Sequence, residues 1–366
     1  MTAKTVWIPH RDSRGVLASE LNSAGKRVKT IRLESDPSEE LGAFVLLPDG
    51  IVALWLPAAP GRVLPRNRIE HLARWLPTER GRAVPRRRDA RLARHNKDGS
   101  ARWSITLPLR EISVPGSVVR TVKTGEERPA PPLRPRTLEV GYPDPLLVSG
   151  SRVAATVADY SSGIAVTFFV DTETGQLIGT SVPGWSLNKA IVGPGEFLIG
   201  FSGYGESSTE QYDTTGAVTR QWPTHAQMLI DTHGAISGPE SEGIVPSRSH
   251  FVRFGSDGAV QRGPALSAYY TTYPALDTDG TAVFWRDGAL RAVDADFEIR
   301  ELFGTRHGDH AATSRLLLLE GGHVVFALNN ELIIVREPGL GSLSDGIWPC
   351  GEGGLRGNPV KFSRSS

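Results

Sequence analysis

The chain has 366 residues, 39% of them hydrophobic, with 40 Gly and 26 Pro; this suits one large, turn-rich all-β unit able to bury a sizeable core. No apolar run approaches the roughly 18 residues that a membrane helix needs, and charge interrupts the N-terminal MTAKTVWIPHRDSRG before an apolar leader could form. The lone cysteine, Cys350, precludes an internal disulfide, so a cytoplasmic protein is expected.

The net charge of +1 conceals a split. Residues 1–139 carry 26 Lys and Arg against 15 Asp and Glu, a balance of +11, whereas residues 140–366 carry 15 against 25, a balance of −10. A chain divided in this way can present a basic surface without being basic overall.

In chain order, Gly25 in LNSAGKRVKTIRL reads as a tight turn, and Pro48-Asp49-Gly50 reads as a hairpin between LGAFVLL and IVALWLP. Residues 61–95 are rich in Pro and Arg and are expected to form an insertion. Within it, Ile69, Leu72, Ala73 and Leu76 have helical spacing ahead of an exposed loop. Asn96 to Trp103 forms another turn, around Gly99. Residues 126–136, EERPAPPLRPR, read as a Pro-rich connector.

From about residue 140 one pattern returns: a Gly, an apolar strand, a polar turn, a second apolar strand, then a tight turn into a third. The leading glycines Gly150, Gly195, Gly234, Gly280 and Gly322 are 45, 39, 46 and 42 residues apart. The later turns repeat independently: Gly175, Gly216 and Gly258 lie 41 and 42 apart, and Phe297 takes the corresponding place 39 further on. A period near 40 with three or four short strands per unit is the signature of a β-propeller. The expected fold is therefore all-β, a propeller of about seven four-stranded antiparallel blades, with six or eight also compatible. It would occupy residues 1–338, with the N-terminal strands completing the last blade and a Gly/Ser-rich, partly loose tail at 339–366.

The second turns resemble the repeat of quinoprotein (PQQ-like) and WD40-like propellers. Val170-Asp171-Thr172-Glu173-Thr174-Gly175 matches that repeat, with Gly179 in its Trp position. Tyr212-Asp213-Thr214-Thr215-Gly216 is one residue shorter, with Trp222 displaced, and Lys97-Asp98-Gly99 is followed by a matching Trp103. The resemblance implies the fold. It carries over no chemistry, because exported quinone-dependent dehydrogenases of this class often use a vicinal cysteine pair that this chain lacks.

Nucleophile elbows, phosphate-cradling loops, His-Glu-x-x-His and Cys-x-x-Cys are all missing from the sequence, and no cofactor is expected. His307, Asp309 and His310 form the densest group of metal-ligand types, although a polar loop explains them as readily. Glu206 and Glu210 suit an acid–base pair or plain loop carboxylates. Tyr269, Tyr270 and Tyr273 with Trp285 suit an aromatic platform or strand packing. His233 reads as a turn residue and Cys350 as an inert thiol.

The strongest signal outside the repeat is arginine. Eleven lie between Arg62 and Arg94, opposed by Glu70, Glu79 and Asp89. Of these, Arg82, Arg86, Arg87, Arg88, Arg91 and Arg94 are the candidate binding residues, because guanidinium forks match carboxylate or phosphate groups. Few aromatics accompany them, so an acidic protein surface is expected ahead of nucleic acid. The expected function is a non-catalytic protein-interaction platform in a cytosolic assembly. The alternative is a hydrolase or lyase acting on a carbohydrate or lactone at the propeller channel.

Overall fold

The computed structural model describes residues 6–12, 15–57, 89–114, 136–137, 140–159, 164–202, 207–240, 249–267, 274–305, 315–328, 331–354 and 359–361. Its strands form seven successive antiparallel sheets. Blade 1 is β1 (Val6–Asp12), β2 (Gly15–Leu21) and β3 (Arg27–Leu33), and blade 2 is β4 (Glu39–Leu47), β5 (Gly50–Pro57), β6 (Ala90–Asn96) and β7 (Ala101–Leu107). A two-stranded ladder, β8 (Ser113–Val114) and β9 (Arg136–Thr137), precedes blade 3. That blade holds β10 (Val140–Pro143), β11 (Leu147–Ser149), β12 (Arg152–Asp159), β13 (Ala165–Asp171) and β14 (Leu177–Thr180).

Blade 4 is β15 (Trp185–Gly193), β16 (Glu196–Ser202), β17 (Ser207–Tyr212) and β18 (Val218–Trp222). Blade 5 is β19 (Leu229–Ile230), β20 (Ile236–Pro239), β21 (Ser249–Phe254) and β22 (Val260–Leu266). Blade 6 is β23 (Ala275–Leu276), β24 (Ala282–Arg286), β25 (Ala289–Val293) and β26 (Ile299–Gly304). Blade 7 is β27 (Leu317–Leu319), β28 (His323–Leu328) and β29 (Glu331–Arg336). A last short strand, β30 (Val360–Lys361), runs parallel to β11.

The middle strands read as continuous apolar runs because both their faces are covered. Val52 to Trp55, Val153 to Ala155 and Val283 to Phe284 have essentially no exposure. One apolar cluster joins blade 1 to blade 2 and another joins blade 2 to blade 3. Blades 3 to 5 share a cluster, as do blades 5 and 6, and blades 6 and 7. Burying a side chain such as Trp55, Phe168 or Phe284 contributes roughly 1.5–3 kcal/mol, and the sum of these contacts holds the sheets face to face.

The repeated turns also lock neighbouring blades. The Trp103 indole at β7 stacks on Gly175 of the next blade and donates to the Thr172 carbonyl at 2.7 Å. A Cβ on Gly175 would lie 2.9 Å from that ring, and φ there is +74°, so both space and backbone require glycine. Trp222 donates likewise to the Gly255 carbonyl at 2.8 Å. Phe297, aligned with these glycines by spacing alone, indeed has φ +68°. Its ring lies against Gly263 and under the Arg253 guanidinium, 3.9 Å away.

Three expectations are corrected. The N-terminal strands do not complete the last blade: among the described residues no strand of blade 1 pairs with blade 7. The reason is that Val16, Ala18, Ile31 and Leu33 give β2 and β3 their own apolar face, which is buried against Ile51, Ala53 and Trp55. Residues 90–95 are not insertion but strand β6, in which Ala90, Leu92 and Ala93 are fully buried. Nor are residues 339–354 and 359–361 of the C-terminal segment loose.

The described residues 340–354 and 359–361 instead form a strap along the first strands of four blades. Leu343 donates to the Leu318 carbonyl at 3.3 Å, Ser344 to Leu276 at 2.8 Å, and Trp348 exchanges bonds with Ile230 at 2.8 and 3.0 Å. Leu276 donates to Pro349 at 2.7 Å, and Val148 to Pro359 at 2.9 Å. Its described residues thus bond to the first strands of blades 7, 6, 5 and 3, which marks those as the inner strands, facing the axis. Its Gly/Ser content is what permits this: a Cβ at Gly346 would lie 2.5 Å from the Ile230 carbonyl oxygen. Trp348 and Cys350 are buried within it. Trp348→Ala is expected to lower unfolding free energy by about 3–5 kcal/mol, measured by chemical denaturation; a loss below 1 kcal/mol would show that the strap does not hold the blades.

Candidate functional site

Polar side chains from blades 3, 4 and 5 come together beside the strap residues Trp348, Gly351 and Pro359. Asp144 precedes β11, Asn188 and Lys189 stand on β15, and Gln227 precedes β19. With Leu147, Met228 and Trp348, they line a shallow open depression of about 60 Å³. Lys189 is the charge at its centre. Its ammonium donates to the Pro145 carbonyl and the Thr156 hydroxyl, both at 3.0 Å, and lies 3.5 Å from Asp144. Burial pushes its pKa below the ordinary 10.5, opposed by the Asp144 carboxylate. Asn188 Nδ2 contacts His225 Nε2 at 2.7 Å and donates to the Ala226 carbonyl at 3.3 Å. Three partners for three ammonium hydrogens leave Lys189 no donor for a ligand.

A second polar knot lies between blades 4, 5 and 6. Glu240, fully buried at the end of β20, accepts from the Thr224 hydroxyl at 2.8 Å and the His250 amide at 2.9 Å, with Arg262 at 3.3 Å. The Glu240 carbonyl accepts from Arg286 at 2.8 Å, and Arg286 also donates to the Ser267 carbonyl at 2.7 Å. Burial pushes the Arg286 pKa down to about 10. Lys189 is a solitary charge inside an apolar stretch of sequence. Such isolation is a signal for a buried ionic contact, yet spacing alone cannot supply the partner.

The arginine candidates separate. Arg91 bonds Glu39 through two nitrogens, at 2.8 and 2.6 Å, and its guanidinium lies over the Trp55 ring. Arg94, 4% exposed, bridges Asp49 and Glu173 at 2.7 Å each and donates to the Thr172 carbonyl at 2.7 Å. It therefore clamps blade 2 to blade 3. Both are committed internally and leave no free fork for a partner. Arg82, Arg86, Arg87 and Arg88 lie outside the described residues, as do His307, Asp309, His310, Glu206, Tyr269, Tyr270 and Tyr273.

The remaining candidates are structural where described. Glu210, on β17, accepts from the Tyr212 hydroxyl and is buried. That contact and burial raise the Tyr212 pKa. Trp285 packs between Phe303 and Phe326. His233 sits in a turn capped by Asp231, whose carboxylate accepts from the His233 amide at 2.8 Å. Among the described residues no three His, Cys, Asp or Glu side chains come together as a metal site would require.

Comparisons with known proteins follow the fold. No family model matches the chain, and no curated protein does. Solved structures match well. The C-terminal WD40 domain of Sif2 is similar at TM-score 0.53 and 10% identity, over 91% of this chain and 78% of that one. BamB from Moraxella catarrhalis is similar at TM-score 0.51 and 13% identity, over 95% and 89%. The Dos1 propeller is similar at TM-score 0.50 and 9% identity, over 88% and 73%. The fold is thus that of a β-propeller, and identities this low establish the fold alone.

Arg94→Met is expected to cost about 1–3 kcal/mol, towards the lower end because its carboxylate partners are half-exposed. The Arg94 hydrogen bond holds Asp49 below the usual carboxylate range, so this variant should also raise the Asp49 pKa, read by NMR titration. For Lys189 the unfolded chain binds its proton more tightly than the folded one. The unfavourable contribution of Lys189 is therefore complete below its lowered folded pKa and fades as pH rises towards 10.5. Urea denaturation at a series of alkaline pH values should show stability rising through that window, and Lys189→Met should flatten the rise.

Proposed function

We propose that this chain is a non-catalytic platform for protein interaction within a cytosolic assembly. The observation that carries this reading is the strap seated on the inner strand edges of blades 3, 5, 6 and 7. A small-molecule site in a propeller needs space and free polar groups at those inner strands. Here the described strap residues take up those edges, and the Lys189 ammonium beside them is spent on internal bonds. What remains is the rigid outer surface of a ring of sheets. The charge split supports an acidic partner for the basic N-terminal part, and because Arg91 and Arg94 are paired internally, Arg82, Arg86, Arg87 and Arg88 are the residues proposed to meet it.

Quantitative mass spectrometry of proteins co-purified with the native chain and with Arg82, Arg86, Arg87 and Arg88 all changed to Gln tests this. A partner of acidic surface should be depleted at least about tenfold, equivalent to about 1.4 kcal/mol, and should also be lost at raised salt. An unchanged partner set sinks the arginine assignment. A stoichiometric divalent metal in the purified protein would instead favour the hydrolase or lyase reading.

A further inference from the structure

His95 is a titratable group buried where blade 1 meets blade 2. It stands near the end of β6, on the same face as Ala93, and is fully buried. Ile51, Ala53 and Trp55 of β5 share that face by register. With Ala93 they pack against Val16, Ala18, Ile31 and Leu33 of blade 1. The Trp55 and His95 rings meet edge to face, with centroids 5.9 Å apart.

The imidazole is held in one form. Its Nδ1 lies 3.1 Å from the Gly99 carbonyl oxygen, which can only accept, so Nδ1 is assigned the proton of the neutral ring. Its Nε2 is buried, and among the described residues it has no hydrogen-bond partner. A second proton has to enter at Nε2, which creates a buried N–H without an acceptor and a charge inside an apolar interface. Burial accordingly pushes the His95 pKa below its ordinary 6.5, and Arg91 adds to this against the Gly99 carbonyl and the Glu34 carboxylate. The other charges on this interface are engaged or mutually opposed. Glu39 binds Arg91 through its carboxylate and Arg11 through its carbonyl, and Glu20 lies opposite Lys29 across β2 and β3.

Blade 1 is placed to respond. It is the first sheet of the series, and among the described residues its strands pair with no other blade. The described bonds of the strap reach blades 7, 6, 5 and 3, but not blade 1. Its fastening to blade 2 runs through the turn that His95 holds. The Glu34 amide donates to the Gly99 carbonyl at 3.2 Å, and the Glu34 carboxylate accepts from the Ala101 amide at 3.0 Å. The Gly99 carbonyl therefore serves His95 and blade 1 together. A Cβ at Gly99 would lie 1.8 Å from the Arg32 carbonyl oxygen, so that turn is pressed directly on β3.

We propose that protonation of His95 detaches blade 1 from blade 2 while the other blades stay assembled, so that mild acid uncovers the apolar face of Ile51, Ala53, Trp55 and Ala93. Release of one end sheet is a local opening, distinct from unfolding of the ring. The detached state accepts a proton that the docked state excludes. Docking is therefore at full strength above 6.5 and weakens as pH falls from there towards the lowered docked value.

Amide hydrogen exchange of the full chain, corrected for the intrinsic pH dependence of exchange, tests this. The opening constant of β2 and β3 should rise about tenfold between about pH 7.5 and about pH 5.5, the ratio for one proton taken up at 6.5. Strands β24 and β25 of blade 6 should not change. His95→Phe should flatten the response of blade 1. His10→Gln should leave it intact, because the His10 ring bonds Ser19 on the opposite face of that sheet. Nitrogen-15 NMR of the native imidazoles gives a readout that does not depend on either variant folding: His95 should carry its proton on Nδ1 at neutral pH and titrate below 6.5. A ring protonated at Nε2, a His95 that titrates at or above 6.5, or an acid response shared equally by blades 1 and 6 overturns the proposal. So does a response of blade 1 that a folded His95→Phe leaves unchanged.

Discussion

A three- or four-stranded sheet with two apolar faces cannot shield both from water, and this constraint organises the whole molecule. Each face must find another sheet, so the sheets accumulate in series, and their right-handed twist turns the series about an axis. The five apolar clusters follow that series in chain order from blade 1 to blade 7. The polar contacts between blades are subordinate to it. Arg94, the Trp103 indole and the Glu240 knot all sit where two blades are already pressed together, and they fix rotation more than they supply cohesion.

The strap answers the problem that this packing leaves at the centre. Inner strands expose one edge each to the axis, and backbone groups there need partners. Residues 340–354 and 359–361 supply them in blades 7, 6, 5 and 3, mostly through main chain to main chain bonds. Ring closure by a shared blade is the other known solution to an open series of sheets. This chain holds its blades from within, so its two terminal sheets are released from that duty and keep their own strands.

Much of the architecture was legible in sequence because the repeat is periodic: the spacing of Gly175, Gly216 and Gly258 located the blade turns, and even placed Phe297 in a left-handed position. What the period could not show was pairing across distance. Arg91 and Arg94 belong by composition to an arginine-rich insertion, but Glu39, Asp49 and Glu173 neutralise them from 45 to 79 residues away. The tail was misread for a related reason. Gly and Ser predict mobility only where solvent surrounds them; in a narrow axis the same small residues permit close backbone approach. Lys189 went unnoticed because a solitary lysine in an apolar strand has no local pattern to announce it.

The position of the strap in chain order also bears on how the molecule is made. Its contacts reach back from Val360 to Val148 and from Trp348 to Ile230, separations that give a high contact order and a slow final step. Blades 3 to 7 are all synthesised before the segment that fastens them. During translation they can stack but cannot be locked, so a nascent chain carries its inner edges uncovered until the end. Protection of those edges then becomes a matter of timing, because the strap follows the blades it fastens in chain order.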